Sequence, residues 1–123
     1  MPDYIMDMIE QFSDTILKAI LGKEAEREYN DGEIFIAELE YEKDEYIVKA
    51  LVTRLLGENK INEAENVLFN AIDETPSKTL LYLATDFYKK VAKYSDKDLK
   101  KYGYSREEIK EGVDDIKKIY KNL

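Results

Sequence analysis

The chain has 123 residues, of which 44% are hydrophobic and 37% are charged, and its formal net charge at neutral pH is −8. This length and composition predict a single soluble domain over residues 1–123, which can bury a core without a disulfide or a structural metal. The sequence contains neither histidine nor cysteine, which excludes thiolate- and imidazole-ligated zinc sites, an imidazole base and a cysteine nucleophile.

The first predicted element is an N-terminal helix over residues 3–21. Its apolar residues recur at the helical intervals of three and four, and they are Ile5, Met8, Ile9, Phe12, Ile16 and Ile20. Further apolar residues widen this face, so a second burial partner is expected, either another helix or a second subunit. The polar face is acidic and no basic segment precedes the helix, which argues against a membrane-surface helix and a secretory signal. Cytoplasm is the expected location.

Acidic residues dominate the next stretch of the chain. Residues 23–45 contain ten acidic and three basic residues, a net charge of −7. Within them, residues 30–32 (NDG) form a turn signal, and residues 34–37 (IFIA) have strand propensity without an evident partner strand. The charge excess predicts a solvated acidic face. The alternative is attraction to a basic partner or to another subunit.

Two helices are predicted in the middle of the chain. The pattern favours one helix from Ala37 to Gly57 and another over residues 60–74, which Pro76 follows. The apolar residues that carry the first pattern are Leu39, Tyr46, Ile47, Ala50, Leu51 and Leu55. The residues expected to point inward from the second helix are Ile61, Ala64, Val67, Leu68, Ala71 and Ile72.

Helices are also predicted over residues 77–121. Thr75 or Ser77 is expected to cap a helix that reaches about residue 94, and a short helix begins at Ser95 and ends at Gly103. The sequence SREE at residues 105–108 is a capping box that begins the last helix. The inward residues are expected to be Leu80, Leu83, Ala84, Phe87, Val91, Ile109, Val113, Ile116 and either Ile119 or Tyr120. The predicted fold class is therefore all-α, a bundle of about five helices.

The spacing within residues 45–76 resembles one tetratricopeptide unit. Such a unit is a helical hairpin in which small residues allow close crossing, a large residue fills the gap and a proline ends the repeat. Ala64, Leu68, Ala71 and Pro76 follow this order, and the same register places Val48, Leu51 and Leu55 on the inner face of the first helix. The 34 residues on either side do not repeat the pattern, so the alternative is an ordinary helical hairpin.

The tetratricopeptide resemblance implies where a partner-binding groove would lie. Its lining would come from Tyr46, Lys49, Thr53 and Leu56 on the exposed side of the first helix, with Tyr82 on the helix after Pro76. Lys49 could meet a carboxylate, and the tyrosines could supply rigid contact area. In an ordinary hairpin the same residues would be solvated or half-buried helix positions.

Four segments together resemble a family of small bacterial domains of unknown function, found mostly in Firmicutes. They are DYIMDMIEQF at residues 3–12, KINEAENVLF at 60–69, DFYKKVAKYSDKDL at 86–99 and YSREEIKEGVDDIKKIY at 104–120. The resemblance implies a cytoplasmic bacterial protein and brings no activity, cofactor or partner with it.

The expected function is that of a non-enzymatic protein–protein interaction or scaffold module, which could associate with itself through the N-terminal helix. The alternative is a small-ligand or divalent-cation-binding protein that uses the acidic segment 33–45, where Glu38, Glu42 and Glu45 share one helix face. No glycine-rich phosphate loop, calcium loop or serine-centred elbow is present. We therefore expect no cofactor, and the lack of a domain-wide basic excess argues against nucleic acid as a partner.

Overall fold

A computed structural model of the chain describes residues 7–9, 11 and 43–121, and it confirms the all-α prediction. The long described stretch holds five helices: α1 (Lys43–Gly57), α2 (Ile61–Glu74), α3 (Lys78–Ala92), α4 (Asp96–Lys101) and α5 (Arg106–Lys121). Residues 7–9 and 11 are helical as well. Most of the predicted N-terminal helix, the NDG turn and the IFIA segment lie outside the described residues. Where the structure is described, no helix has both the length and the apolar character needed to cross a bilayer.

Two chain reversals share the same local geometry. After α1, Asn59 has a φ of 62°, and the N–H of Lys60 donates to the carbonyl oxygen of Leu55 at 2.9 Å. After α4, Gly103 has a φ of 73°, and the N–H of Tyr104 donates to the carbonyl oxygen of Leu99 at 2.9 Å. These are Schellman turns, which need a left-handed residue just past the helix. Asn59 therefore makes the first reversal, and Gly57 is only the last residue of α1.

Serine side chains begin the three C-terminal helices as predicted, and they are Ser77, Ser95 and Ser105. The capping box is confirmed, because the Ser105 N–H donates to Glu108 Oε2 at 2.8 Å and the Glu108 N–H donates to Ser105 Oγ at 3.2 Å. Of the two candidate caps for α3, Ser77 is the one that accepts a bond, from the Leu80 N–H at 3.1 Å. These caps fix where α3, α4 and α5 begin.

The helices enclose one core. α1 and α2 form an antiparallel hairpin, and α3 packs against α1, α2 and α5. The inward faces predicted for α3 and α5 are confirmed, with Tyr120 rather than Ile119 as the last buried residue. In α2, the fully buried residues are Ile61, Ala64, Leu68 and Ile72. Ile9 belongs to the same core and is fully buried, so the helical residues near the N-terminus contribute to it.

The inner face of α1 differs from the prediction. Val52, Leu55 and Leu56 are buried, whereas Leu51 is 37% exposed and Ile47 is 61% exposed. The inner position predicted for Leu51 is therefore wrong. The buried face is centred on Val52, and Leu51 lies one 100° step away on the helix, toward solvent.

Candidate functional site

A groove lies between the last turn of α1 and the end of α3. It encloses about 440 Å³, and its lining residues are Thr53, Leu56, Gly57, Lys90, Lys93 and Tyr94. We call this concavity the α1/α3 groove. Leu56 is only 9% exposed and forms its apolar floor, while Thr53, Lys90 and Lys93 are exposed at its rim.

The walls of the α1/α3 groove are held in place by neighbouring contacts. The Tyr94 ring meets the Tyr102 ring edge-to-face at 6.1 Å between centroids, and the Tyr94 hydroxyl donates to Asn59 Oδ1 at 3.4 Å. On the α1 side, a Cβ added to Gly57 would meet nothing within 4 Å. The groove therefore stays open beside Gly57 because no atom of the described chain fills that space.

The structure brings some of the predicted partner-binding residues together. Thr53 and Leu56 both line the α1/α3 groove. Tyr46, which is 56% exposed, and the exposed Lys49 continue the same stripe of α1, at helical intervals of three and four. Tyr82 is half-buried on α3 and does not line the groove. Leu56 was expected on the exposed side of the helix. It is buried instead, and it forms the floor of the α1/α3 groove and not its rim.

Sequence reasoning missed the α3 side of the groove. Beyond Pro76, the tetratricopeptide resemblance placed only Tyr82 in the groove, whereas the lining residues there are Lys90, Lys93 and Tyr94. Lys90 Nζ pairs with Asp86 Oδ2 at 2.9 Å, and within the described part of the chain Lys93 has no carboxylate at ion-pair distance. Among the lining residues that the structure describes, two are lysines and none is acidic, so this described lining is basic in a chain of net charge −8.

A second cluster centres on the carboxylate of Glu65 in α2. Its Oε2 accepts a bond from the Tyr88 hydroxyl at 2.6 Å and from the Tyr104 hydroxyl at 2.7 Å. Burial raises the pKa of Glu65, the two tyrosine bonds oppose that rise, and the negative charges of Glu108 and Asp115 add to it. Burial and the Glu65 charge also raise the pKa of Tyr88 and of Tyr104. This cluster ties together α2, α3 and the link between α4 and α5.

Gly112 in α5 makes this cluster possible. A Cβ at position 112 would lie 2.0 Å from Tyr88 Oη and 2.9 Å from Glu65 Oε2. Only glycine leaves room for the Tyr88 hydroxyl to pass α5 and reach Glu65. Sequence reasoning assigned Gly112 no role, although an isolated glycine inside a strong helical pattern is a signal for close approach.

An acidic concavity borders the Glu65 cluster. It encloses about 220 Å³ and is lined by Glu65, Asn66, Phe69, Glu108, Glu111, Gly112 and Asp115. Within residues 7–9, 11 and 43–121, no group of three or more carboxylates is arranged to hold a metal ion. Of the predicted cation ligands, Glu38 and Glu42 lie outside the described residues, and Glu45 accepts a hydrogen bond from Ser77 Oγ.

Ser77 connects α1, α3 and α5. The Tyr120 hydroxyl donates to the Ser77 carbonyl oxygen at 2.6 Å, and the Ser77 N–H donates to Tyr120 Oη at 3.2 Å. Beside this junction lies a cavity of about 750 Å³ whose lining includes Asp44, Glu45 and Lys78. The small-ligand alternative depends on the acidic segment 33–45, of which the structure describes residues 43–45, and Asp44 and Glu45 of that part line this cavity.

Comparison with known families gives a match to a model described as "Family of unknown function (DUF6483)", over residues 1–121. Neither the curated proteins nor the solved structures give a match. The match spans the α1/α3 groove, the Glu65 cluster and the Ser77 junction, so all three lie inside the boundaries of the family.

Proposed function

We propose that this chain, which belongs to the DUF6483 family of unknown function, is a non-enzymatic protein-interaction module that binds a segment of its partner in the α1/α3 groove. The observation that carries the proposal is the groove itself. It is open to solvent, has an apolar floor at Leu56 and a half-buried aromatic wall at Tyr94, and continues onto the exposed stripe of Tyr46 and Lys49. Apolar anchors surrounded by polar rims are typical of binding surfaces.

The helices around the groove supply a rigid support. α1 packs on α2 and has Val52, Leu55 and Leu56 buried, and α3 packs against α1, α2 and α5. A partner would therefore meet a preformed surface, which lowers the entropy lost on binding. A tetratricopeptide-like role for the α1–α2 hairpin, a bacterial source and a cytoplasmic location belong to the same proposal.

A photo-crosslinking amino acid at position 53 tests the proposal in the cells that produce the protein. We expect crosslinked adducts from position 53 and not from position 110, which is exposed on α5. The blocking variant is Gly57→Trp, because a side chain at Gly57 enters open space and should fill the groove without unfolding the chain. Gly57→Ala is the matched control.

The expected result is loss of the position-53 adducts in Gly57→Trp and their retention in Gly57→Ala, with unchanged circular dichroism in both. Adducts that persist in Gly57→Trp, or equal adducts from positions 53 and 110, would show that the groove is not the contact surface.

Self-association is a second candidate function, which the exposure of Ile47 and Leu51 on α1 favours. These two residues lie one turn apart, and on a helical projection they lie nearly opposite Leu56 and Thr53. A second copy could therefore bind this face while the α1/α3 groove remains free. Light scattering during size-exclusion chromatography measures this association.

A further inference from the structure

We propose that the partner segment bound in the α1/α3 groove is acidic, with one aliphatic or aromatic side chain flanked by carboxylates. This inference rests on the proposed function, because it names the class of segment that the same groove would take. The aliphatic or aromatic side chain would contact Leu56 and Tyr94, and the carboxylates would pair with Lys90 and Lys93.

The charge of the lining carries the inference. Within residues 43–121, the charged residues of the groove lining are Lys90 and Lys93, and no acidic residue of that stretch lines the groove. The pairing of Lys90 with Asp86 occupies part of its ammonium group, which has three donors, while Lys93 has no carboxylate within ion-pair distance among the described residues. In a chain of net charge −8, a basic groove attracts acidic segments and repels basic ones.

The spacing of the two lysines limits the geometry of the ligand. Lys90 lies in the last turn of α3, and Lys93 is the C-cap residue just past its end, still in helical conformation. Three positions apart, their Cα atoms are separated by about 4.5 Å along the helix axis. Carboxylates three or four residues apart in a helical segment, or two apart in an extended one, have a similar separation. Two lysines beside an apolar floor suit such a segment better than a nucleic acid backbone, which needs a longer basic surface.

Fluorescence anisotropy with a labelled twelve-residue peptide tests the inference on the full chain. The probe carries one leucine flanked by glutamate and aspartate, and the matched probe carries glutamine and asparagine in their place. We expect the acidic probe to bind about tenfold more tightly than the amide probe, with affinity that falls between 50 and 300 mM NaCl because exposed ion pairs are screened.

Variants of the chain locate the binding. We expect Lys93→Glu to lower the affinity for the acidic probe about tenfold or more, since it replaces attraction by repulsion. We expect Gly57→Trp to abolish binding of this probe. Lys110→Glu makes the same charge change at an exposed position on α5 and should leave affinity unchanged.

The outcomes separate this inference from the proposed function. If Gly57→Trp removes the crosslinks at position 53 but the acidic and amide probes bind equally, the groove binds a partner and its acidic class is wrong. If the crosslinks persist in Gly57→Trp, the proposed function fails and the inference fails with it. Tight binding of a single-stranded oligonucleotide, or acidic-probe binding that survives Gly57→Trp, would also overturn the inference, because charge alone would then explain it.

Discussion

At the residue scale, alanine substitutions at the two helical glycines, Gly112 and Gly57, should have opposite effects on the free energy of unfolding. We expect Gly112→Ala to destabilise the fold by about 1–3 kcal/mol or more, the usual cost of overpacking, because its Cβ would lie 2.0 Å from Tyr88 Oη. Gly57→Ala should be neutral or stabilising by up to about 1 kcal/mol, since alanine favours helix and its Cβ meets nothing within 4 Å. Urea unfolding followed by circular dichroism measures both. Equal effects of the two substitutions would contradict the close contact at Gly112.

Glu65 should give the folded chain a specific pH dependence. Its pKa is raised in the folded state, chiefly by burial, so the folded chain binds this proton more tightly than the unfolded chain does. The contribution of Glu65 to stability is therefore fully present below the ordinary glutamate pKa and is lost as pH rises through the higher folded pKa. We expect wild type to lose stability relative to Glu65→Gln across that window.

Urea unfolding at a series of pH values measures this difference, because subtraction of the two curves removes the other titrating groups. Glu63→Gln is the matched control, since Glu63 is exposed on the same helix, and its curve should run parallel to that of wild type. A Glu65→Gln curve parallel to wild type would show that the Glu65 carboxyl does not carry a raised pKa.

Residue roles were predictable where they depend on neighbours in sequence. The capping box of Ser105 and Glu108 and the left-handed Gly103 follow from local spacing, and the structure contains both. Glu65 contacts Tyr88, which is 23 positions further along the chain, and Tyr104, which is 39 positions further. No periodic pattern encodes such a meeting, which depends on how α2, α3 and α5 are placed. The Lys90 and Lys93 side of the groove was missed for the same reason.

At the scale of elements, Arg106, the first residue of α5, hydrogen-bonds to the end of α3 and to the start of α4. Its guanidinium donates to the Ala92 carbonyl oxygen and to Asp96 Oδ1, each at 2.8 Å, and to the Tyr94 carbonyl oxygen. The side chain is 17% exposed. We expect Arg106→Lys to destabilise the fold by about 1–3 kcal/mol, since lysine cannot reproduce the planar fork and the partly buried carbonyl groups of Ala92 and Tyr94 lose donors.

Arg54→Lys is the matched control for Arg106→Lys in urea unfolding. Arg54 pairs with Glu58 at 3.4 Å and is 71% exposed, so its replacement should change stability by less than about 0.5 kcal/mol. Equal losses from the two variants would show that Arg106 contributes no more than a surface ion pair.

The existence of the helices was predictable, and the orientation of α1 was not. Caps and turn signals mark the helix ends between residues 57 and 106, because they are local. The apolar residues of α1 cover a wide arc, with the buried Val52 and Leu56 on one side, the exposed Ile47 and Leu51 on the other, and Leu55 between them. The sequence period alone does not say which side faces α2, because that choice depends on the packing of the whole hairpin.

For the whole molecule, the exposed apolar residues Ile47 and Leu51 of α1 favour self-association, and the net charge of −8 opposes it. Contact through Ile47 and Leu51 would bury apolar surface, which favours association, while the shared negative charge of two copies opposes it. Salt screens the repulsion and leaves the apolar contact in place. An association driven by attraction between the acidic residues 23–45 of one chain and the groove lysines of another would instead weaken as salt is added.

We therefore expect the molar mass measured by light scattering to rise with protein concentration, and to rise further at 500 mM than at 50 mM NaCl. Leu51→Glu should remain a monomer under both conditions, because it places a charge in the contact. Thr53→Glu adds the same charge on the groove side of α1, where the residue is also exposed, and should associate as wild type does. A rise in mass that shrinks with salt would indicate charge-driven pairing of chains, and a strict monomer at high concentration would remove self-association through this face.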